Sequence, residues 1–438
     1  MVKRFRAFWM CFTKQSVIFV SSICVILLAT QCRKSQQEIE QPDLTICGFI
    51  TLADGLGKQS LELMECLKDD YAINFKYSRD HQFQDMQQLS QQLQTIIQSP
   101  NPLYGKVVIF EDALYYPYAS FYKCMENVKE DSSIRIAYSM FESSRIPDEW
   151  VTILNSTFDA VVVPDAFLVD VYHSCGVIIP VFVIPLSIEL DDLLALPLKQ
   201  QANCPFVFTN LSSGYERKNQ ITLVKAFAKA FKNNENVILK INCREWDPVY
   251  KQSIEDFIHA VQVSNIQLTD DVLPRDRYVQ ALKAADCYVN VSKGEGFSIQ
   301  PREAMALGIP VIVSNNTAQQ TICKTGFVKG VAVSGEEIAL YREGYQPGYF
   351  YRTSIDELAA AMAEVYFNYS TYLAHAASAR DWVLQYRRST LKSDYKTLVK
   401  PAKVVLSCEN KIAGNVIYTT DRKLQEKYEK IILTKSTM

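Results

Sequence analysis

The chain is 438 residues long, 48% of them apolar and 21% charged, with only 15 Gly and 16 Pro. That composition excludes disordered, collagen-like and low-complexity proteins, and at roughly 150 residues per domain it provides for two or three packed domains. A formal net charge of −2 gives no basic excess with which to release phosphate counterions, so nucleic acid is excluded as a global partner and any anion site must be local.

The amino terminus stands apart from the rest. Lys3, Arg4, Arg6 and Lys14 precede an uncharged run at 16–32, SVIFVSSICVILLATQC, close to the minimum length for a bilayer span. It is read as an N-terminal hydrophobic helix that anchors the chain; a signal peptide and a start codon placed too far upstream are the alternatives. The four basic residues before the run, against Arg33 and Lys34 after it, would put the body outside the cell. Two features oppose that: Asn210 and Asn290 lie in Asn-x-Ser sequons at predicted strand ends, where a glycan would obstruct the cleft, and the cysteines look reduced. Twelve cysteines are scattered singly, nine of them beyond residue 40, an odd number without Cys-x-x-Cys or zinc spacing. The expectation is a membrane-anchored chain with its body on the cytoplasmic face and no metal.

From residue 44 short apolar runs alternate with helical stretches. Strands are predicted at 44–51, 72–78, 106–110, 134–139, 160–164 and 179–185, the first leading through a glycine turn into a helix with Leu61, Met64 and Leu67 on one face. This is the pattern of a doubly wound parallel α/β sheet. Residues 186–203 carry no strand signal and mark a hinge. Strands at 205–210, 237–242, 266–269, 287–292 and 310–314 then repeat the alternation, and a helical stretch at 355–399 is expected to finish the second unit and pack back across the first. The predicted divisions are 1–43 for stub, anchor and linker, 44–190 and 191–399 for two Rossmann-like domains, and 400–438 for a basic tail. Residues 391–438 hold ten Lys or Arg against five Asp or Glu, read as a solvated basic surface.

The most informative stretch is 292–314, SKGEGFSIQPREAMALGIPVIVS, laid out as strand, glycine loop, helix, glycine stop and strand. Pro301 suits a first helical turn and Gly308 a helix exit. Gly294 and Gly296 allow close backbone approach, and the unpaired N–H groups at the helix start make a site for phosphate. Glu295 and Glu303 frame that site with seven residues between them. A carboxylate at Glu303 is favourable with the helix dipole whatever its role. Glu295, between two glycines and with no evident partner, has no such structural reason, and a hydroxyl-binding role is favoured. A second element, 215–231, opens an amphipathic helix with Leu223, Ala226, Phe227 and Ala230 as its buried stripe. Arg217 and Lys218 stand at its mouth, where two adjacent cations alone would ordinarily be surface charges.

These stretches resemble the donor-binding signature of the family 4 glycosyltransferases, which have the GT-B fold: two Rossmann-like doubly wound domains facing across a cleft. The resemblance covers about 46–399. It implies an acceptor domain followed by a donor domain, no cofactor, and a retaining, metal-independent transfer from a nucleotide-diphosphate sugar to a glycan, lipid or protein. It implies further that Glu303 binds the donor ribose hydroxyls and Glu295 reaches the transferred sugar. Backbone at Gly294, Gly296, Phe297 and Ser298 would contact sugar and diphosphate, and Arg217 and Lys218 would neutralise the departing diphosphate. Ser213 stands near the place where the family often carries its Arg. Residues 53–60, with Gly55 and Gly57, are similar to the family's glycine loop under the donor phosphates. Residues 140–150 are also similar to a family segment; Glu142 and Arg145 there either face the acceptor or form structural pairs. His81, His173, His259 and His375 are the only histidines, and none stands at the first-domain position where many relatives have one. No Ser-His-Asp or Cys-His set emerges, and no Asp-x-Asp motif is present. The competing expectations are an epimerase or phosphorylase on the same scaffold, and a membrane-tethered, non-catalytic binding protein that keeps the fold.

Overall fold

The computed structural model describes residues 40–52, 55–79, 82–112, 114, 133–341 and 346–433. The hydrophobic run at 16–32, most of the linker and His81 lie outside them. Among the described residues no helix is long and apolar enough to cross a membrane. Everything below belongs to the compact unit Pro42–Met438.

The first lobe is built on β1 (Leu44–Gly48), β2 (Ile73–Tyr77), β3 (Val107–Glu111), β4 (Ile134–Tyr138), β5 (Ala160–Val163) and β6 (Val181–Val183), in the order β2-β1-β3-β4-β5-β6. All neighbours are parallel. Every residue of β1, β3 and β5 is buried, as parallel strands covered on both faces require. The cover is α1 (Gly55–Leu67), α2 (Gln91–Gln98), α3 (Asp148–Thr157) and α4 (Phe167–Ser174), and Leu61, Met64 and Leu67 of α1 join Leu44 and Ile46 in one core.

The connecting segment holds only a short helix, α5 (Asp191–Leu194). The second lobe then repeats the plan with β7 (Phe206–Gly214), β8 (Val237–Trp246), β9 (Ile266–Thr269), β10 (Cys287–Asn290), β11 (Val311–Ser314) and β12 (Lys329–Val331), ordered β12-β11-β10-β7-β8-β9 and parallel. Its helices are α6 (Gln220–Phe231), α7 (Pro248–Val261), α8 (Arg275–Lys283), α9 (Ile299–Ala306) and α10 (Thr317–Cys323). In each lobe the first strand is internal: β1 lies between β2 and β3, and β7 between β8 and β10. The chain winds away from β1 and β7 in opposite directions, which opens a crevice at their carboxyl ends.

An antiparallel hairpin follows, β13 (Val333–Ile338) with β14 (Tyr349–Thr353). Three helices complete the lobes: α11 (Ile355–Phe367), α12 (Tyr369–Trp382) and α13 (Arg388–Val399). The last packs against the first lobe, where Arg388 pairs with Glu62 of α1 at 2.8 Å and the buried Tyr395 hydroxyl donates to the Pro185 carbonyl at 2.7 Å.

The segment after residue 400 departs from the expected tail. It folds into β15 (Lys403–Leu406), β16 (Lys411–Ala413) and β17 (Val416–Thr419), ordered β15-β17-β16, and a helix α14 (Arg422–Leu433). Val404, Ile417, Leu424 and Tyr428 are buried in the same core as β1. Leu424 and Tyr428, four residues apart, share one helix face, while the lysines that dominate the charge count lie on the others. One of them, Lys427, reaches Asp159 of the first lobe at 2.8 Å. The Tyr428 hydroxyl donates to the Leu398 carbonyl at 2.7 Å, which ties this layer to α13. Tyr428→Ala is therefore expected to destabilise the protein by about 3–5 kcal/mol in urea melts; a loss under about 1 kcal/mol would show that the layer is peripheral.

Candidate active site

The loops that leave β7 and β10 emerge side by side because those strands pair. The first carries Arg217 and Lys218 in a 3₁₀ turn, Glu216–Lys218. The second carries Gly294 to Ser298 into α9. Facing them across the cleft are the start of α1 and the loop after β4. This approach requires a glycine at 294, where a Cβ would overlap the carbonyl oxygen of Glu142, and favours one at 296, where a Cβ would stand a tight 3.2 Å from the Met140 side chain. On the other side a Cβ on Gly55 would stand 2.9 Å from Cδ1 of Ile299, so the N-termini of α1 and α9 abut. Gly57 meets Thr51 within its own turn.

Glu295 does not lack partners. Its carboxylate, 6% exposed, receives Lys218 Nζ at 2.7 Å and 2.9 Å and lies 3.5 Å from Arg217 Nη1. Arg217 donates to the Gly294 carbonyl at 2.5 Å and pairs through Nη2 with Glu142 of the first lobe at 3.1 Å. Glu142 in turn accepts from the Tyr341 hydroxyl at 3.3 Å. Burial pushes the Glu295 carboxyl up, but Lys218 and Arg217 outweigh it and hold the group below the ordinary glutamate range. For Arg217 burial works against the charge, and Glu142, followed by Tyr215, Glu295 and Tyr341, outweighs it and holds the guanidinium well above its usual value. Arg145 does not join this cluster; it is exposed and pairs with Asp148 at 3.4 Å.

Glu303, also buried, is held at both oxygens. Arg275 Nη1 lies 2.7 Å from one and the Tyr278 hydroxyl donates to the other at 2.5 Å. Arg275 is itself gripped by Asp192 of α5 at 2.8 Å. Both partners lie in or at the start of α8, and sequence reasoning missed them: the stretch RDRY carries no motif, and only its doubled basic residues beside a Tyr hint at a binding face. The Phe297 ring is buried against Tyr386, centroids 5.4 Å apart, so the backbone is what this residue has left for a ligand. Ser298 adopts a left-handed conformation, φ 68°, and its hydroxyl accepts from Gln319 at 3.3 Å. His173, His259 and His375 are all exposed.

The hairpin β13–β14, another missed element, closes the cluster from outside. Ser144 N–H donates to the Tyr349 carbonyl at 3.1 Å and Tyr351 N–H to the Lys293 carbonyl at 2.9 Å, so it holds a first-lobe loop and the β10 loop together.

Residues 199–344 match the sequence model of the family described as glycosyl transferases group 1. Over these residues, a third of the chain, the protein resembles the group 1 glycosyl transferases. The match spans β7 through β13, and so contains Arg217, Lys218, Glu295 and Glu303 but not Glu142. Solved structures extend the likeness to both lobes. HepE of Anabaena, in complex with UDP and glucose, is 12% identical with a TM-score of 0.61 over 81% of this chain and 99% of its own. A glycosyltransferase of Rickettsia africae is 15% identical with a TM-score of 0.58 over 81% and 97%. Sucrose-phosphate synthase of Thermosynechococcus elongatus is 14% identical with a TM-score of 0.60 over 82% and 98%. At such identities the likeness shows the fold, and the fold is GT-B. No curated protein matches the chain by sequence.

The Glu295 ion pair has a measurable signature. Its folded value lies below its unfolded one, so it adds stability that is present above the unfolded carboxylate range and lost as the pH falls through the folded value. Lys218→Met is expected to raise the Glu295 titration midpoint in carboxyl NMR and to shrink that pH-dependent stability. An unmoved midpoint would mean that Lys218 does not set it.

Proposed function

We propose that this protein is a retaining, metal-independent glycosyltransferase of family 4, taking a nucleotide-diphosphate sugar as donor. The observation that carries the proposal is a pair of buried carboxylates on either side of the start of α9, Glu295 held by Lys218 and Arg217 and Glu303 held by Arg275, with the start of α1 abutting that of α9. Helix starts offer unpaired N–H groups and positive potential to a diphosphate. Glu303 binds the ribose hydroxyls and Glu295 a hydroxyl of the transferred sugar. Arg217 and Lys218 stabilise the charge that grows on the leaving diphosphate, the kind of preorganised donor whose loss costs about 10²–10³ in rate. Retention follows from attack on the face that the diphosphate leaves, a leaving phosphate oxygen taking the acceptor proton; no carboxylate is assigned as nucleophile. HepE has been solved with UDP and with UDP-glucose, which makes UDP-sugars the first donors to test. The acceptor is a glycan, a lipid or a protein.

Before donor arrives, both cations are already neutralised, Lys218 by Glu295 and Arg217 by Glu142. A diphosphate must replace those carboxylates, so Glu142 competes with the donor for Arg217. A second reading, a tethered protein that keeps the fold and binds without turnover, is favoured by the lack of a histidine at the family's first-domain position and by Ser213 standing near the place of the family's Arg.

A panel of sugar nucleotides with residues 41–438, with and without chelator, separates the two. Transfer or hydrolysis of one donor, insensitive to chelator, is expected. Lys218→Ala should lower kcat about 10²–10³-fold, Glu303→Ala should raise the donor KM about tenfold or more, and Glu142→Gln should tighten donor binding. Binding of a donor without turnover would favour the tethered reading, and no binding of any donor would refute both.

Residues 16–32 serve in this proposal as a membrane anchor with the body on the cytoplasmic face; their uncharged length supports the anchor, and the singly placed cysteines and the sequons at Asn210 and Asn290 support that side against the charge bias of the stub. The full chain is expected to stay with membranes through carbonate extraction while residues 41–438 do not. Release of the full chain would remove the anchor from the account.

A further inference from the structure

Arg302 is the bulkiest side chain among the described residues with essentially no solvent exposure. It stands in the first turn of α9, one residue before Glu303, where the 292–314 pattern assigns it no role. Nη1 of its guanidinium donates to the carbonyl oxygens of Phe297 and, at 3.0 Å, Ser298. Its face lies 4.0 Å from the Phe297 ring centroid and 4.7 Å from that of Tyr386. Nη2 is 3.5 Å from Oδ2 of Asp165, and Nε is buried with no hydrogen-bond partner.

Asp165 comes from the other lobe, just past β5, and is 3% exposed. Its Oδ1 accepts from the Thr321 hydroxyl of α10 at 2.8 Å and from the Phe167 N–H at 3.3 Å. A first-lobe carboxylate thus reaches two donors of the second lobe, Arg302 and Thr321.

As a stabilising device this pair is poor. Two desolvated ions at 3.5 Å, one with an unsatisfied N–H, lose more hydration than a contact of that length returns, and apolar side chains of similar volume would pack there as well or better. What the guanidinium does is local and geometric. In a planar trans peptide the carbonyl of one residue and the N–H of the next point in opposite directions. By holding the Phe297 and Ser298 carbonyls, Arg302 turns the N–H groups of Ser298 and Ile299 away from itself, and keeps two carbonyl oxygens from lying where they would repel an anion. It also maintains Ser298 in the left-handed region, φ 68°, which a serine seldom adopts unaided.

We propose that Arg302 is a positioning residue for the donor, fixing the 297–299 backbone that receives the diphosphate, and that Asp165 makes this geometry depend on the acceptor lobe by holding Arg302 from across the cleft. This rests on the donor site proposed above. The arrangement needs the planar fork of arginine, because a lysine ammonium is a point donor that cannot span two carbonyls and a carboxylate at once.

The test uses the double variant Arg302→Met/Asp165→Asn, which removes both charges together, and the isosteric single variant Asp165→Asn should the double fail to fold. Amide hydrogen exchange is read at Ser298 and Ile299, and donor KM and kcat are read for the best donor of the wild-type protein. Exchange at those two amides is expected to accelerate at least tenfold while the amides of β10 keep their protection, and the donor KM is expected to rise at least fivefold with little change in Tm. A merely structural role predicts the reverse, a lowered Tm with unchanged KM. Unaltered exchange at Ser298 and Ile299 overturns the positioning role whatever the activity. Faster exchange with an unchanged donor KM overturns its link to the donor. Should the wild-type protein turn over no donor, the exchange result still decides whether Arg302 fixes the loop, and the failure falls on the proposed activity alone.

Discussion

Two carboxylates and two cations, Glu142, Glu295, Arg217 and Lys218, meet between the lobes, and the buried Glu295 is tolerable there because Lys218 and Arg217 hold its charge. Removing its cations would leave the Glu295 carboxylate as an uncompensated buried charge, a loss of up to about 3–5 kcal/mol. The surrounding structure is arranged to keep the four together. The pairing of β7 with β10 sets the two cation-bearing and carboxylate-bearing loops side by side. Gly294 and Gly296 let the first-lobe loop at 140–145 come close enough for Glu142 to reach Arg217. The β13–β14 hairpin then covers the result, its flanking Tyr341 donating to Glu142 while Lys293 at the loop base pairs with Glu216 and Glu337. Glu142 and Glu295 are the carboxylates that neutralise Arg217 and Lys218.

How much of this was legible beforehand depended on the distance along the chain over which each relation acts. The 292–314 stretch could be read because strand, turn, helix start and helix stop follow one another locally, so Gly294, Glu295, Pro301 and Glu303 take their places by spacing alone. The partners of those carboxylates could not. Lys218 and Glu295 are 77 residues apart, and their contact is created by a strand order that winds from β7 to β8 and β9 before returning to β10. Glu295 between two glycines therefore looked unpaired. Arg275 and Tyr278 reach Glu303 because α8 lies against α9's face of the sheet, a relation that no local pattern encodes.

Two further elements were hidden for different reasons. Residues 333–338 read VSGEEI, polar on both faces, and become a strand only by pairing with β14. The segment after 400 carries a charge excess that masks four widely spaced core residues, Val404, Ile417, Leu424 and Tyr428. Counting charges there described the solvent face of α14 and missed the face that holds it to the first lobe. In both cases burial was decided by what the rest of the fold leaves uncovered.

Two of the ion pairs between the lobes stand at the candidate site, Glu142 with Arg217 and Asp165 with Arg302. On the proposed function the first pair stands in the path of an incoming anion and the second behind the backbone that receives it. The central claim is that the diphosphate of a nucleotide sugar takes over Arg217 and Lys218 from the protein's own carboxylates. A crystal structure with a nucleoside diphosphate bound tests it most directly. The account predicts phosphate oxygens within hydrogen-bond distance of Arg217, Lys218 and the first N–H groups of α9, ribose hydroxyls on Glu303, and Glu142 displaced from Arg217. A nucleotide bound while the Glu142–Arg217 and Glu295–Lys218 pairs both remain intact would contradict it.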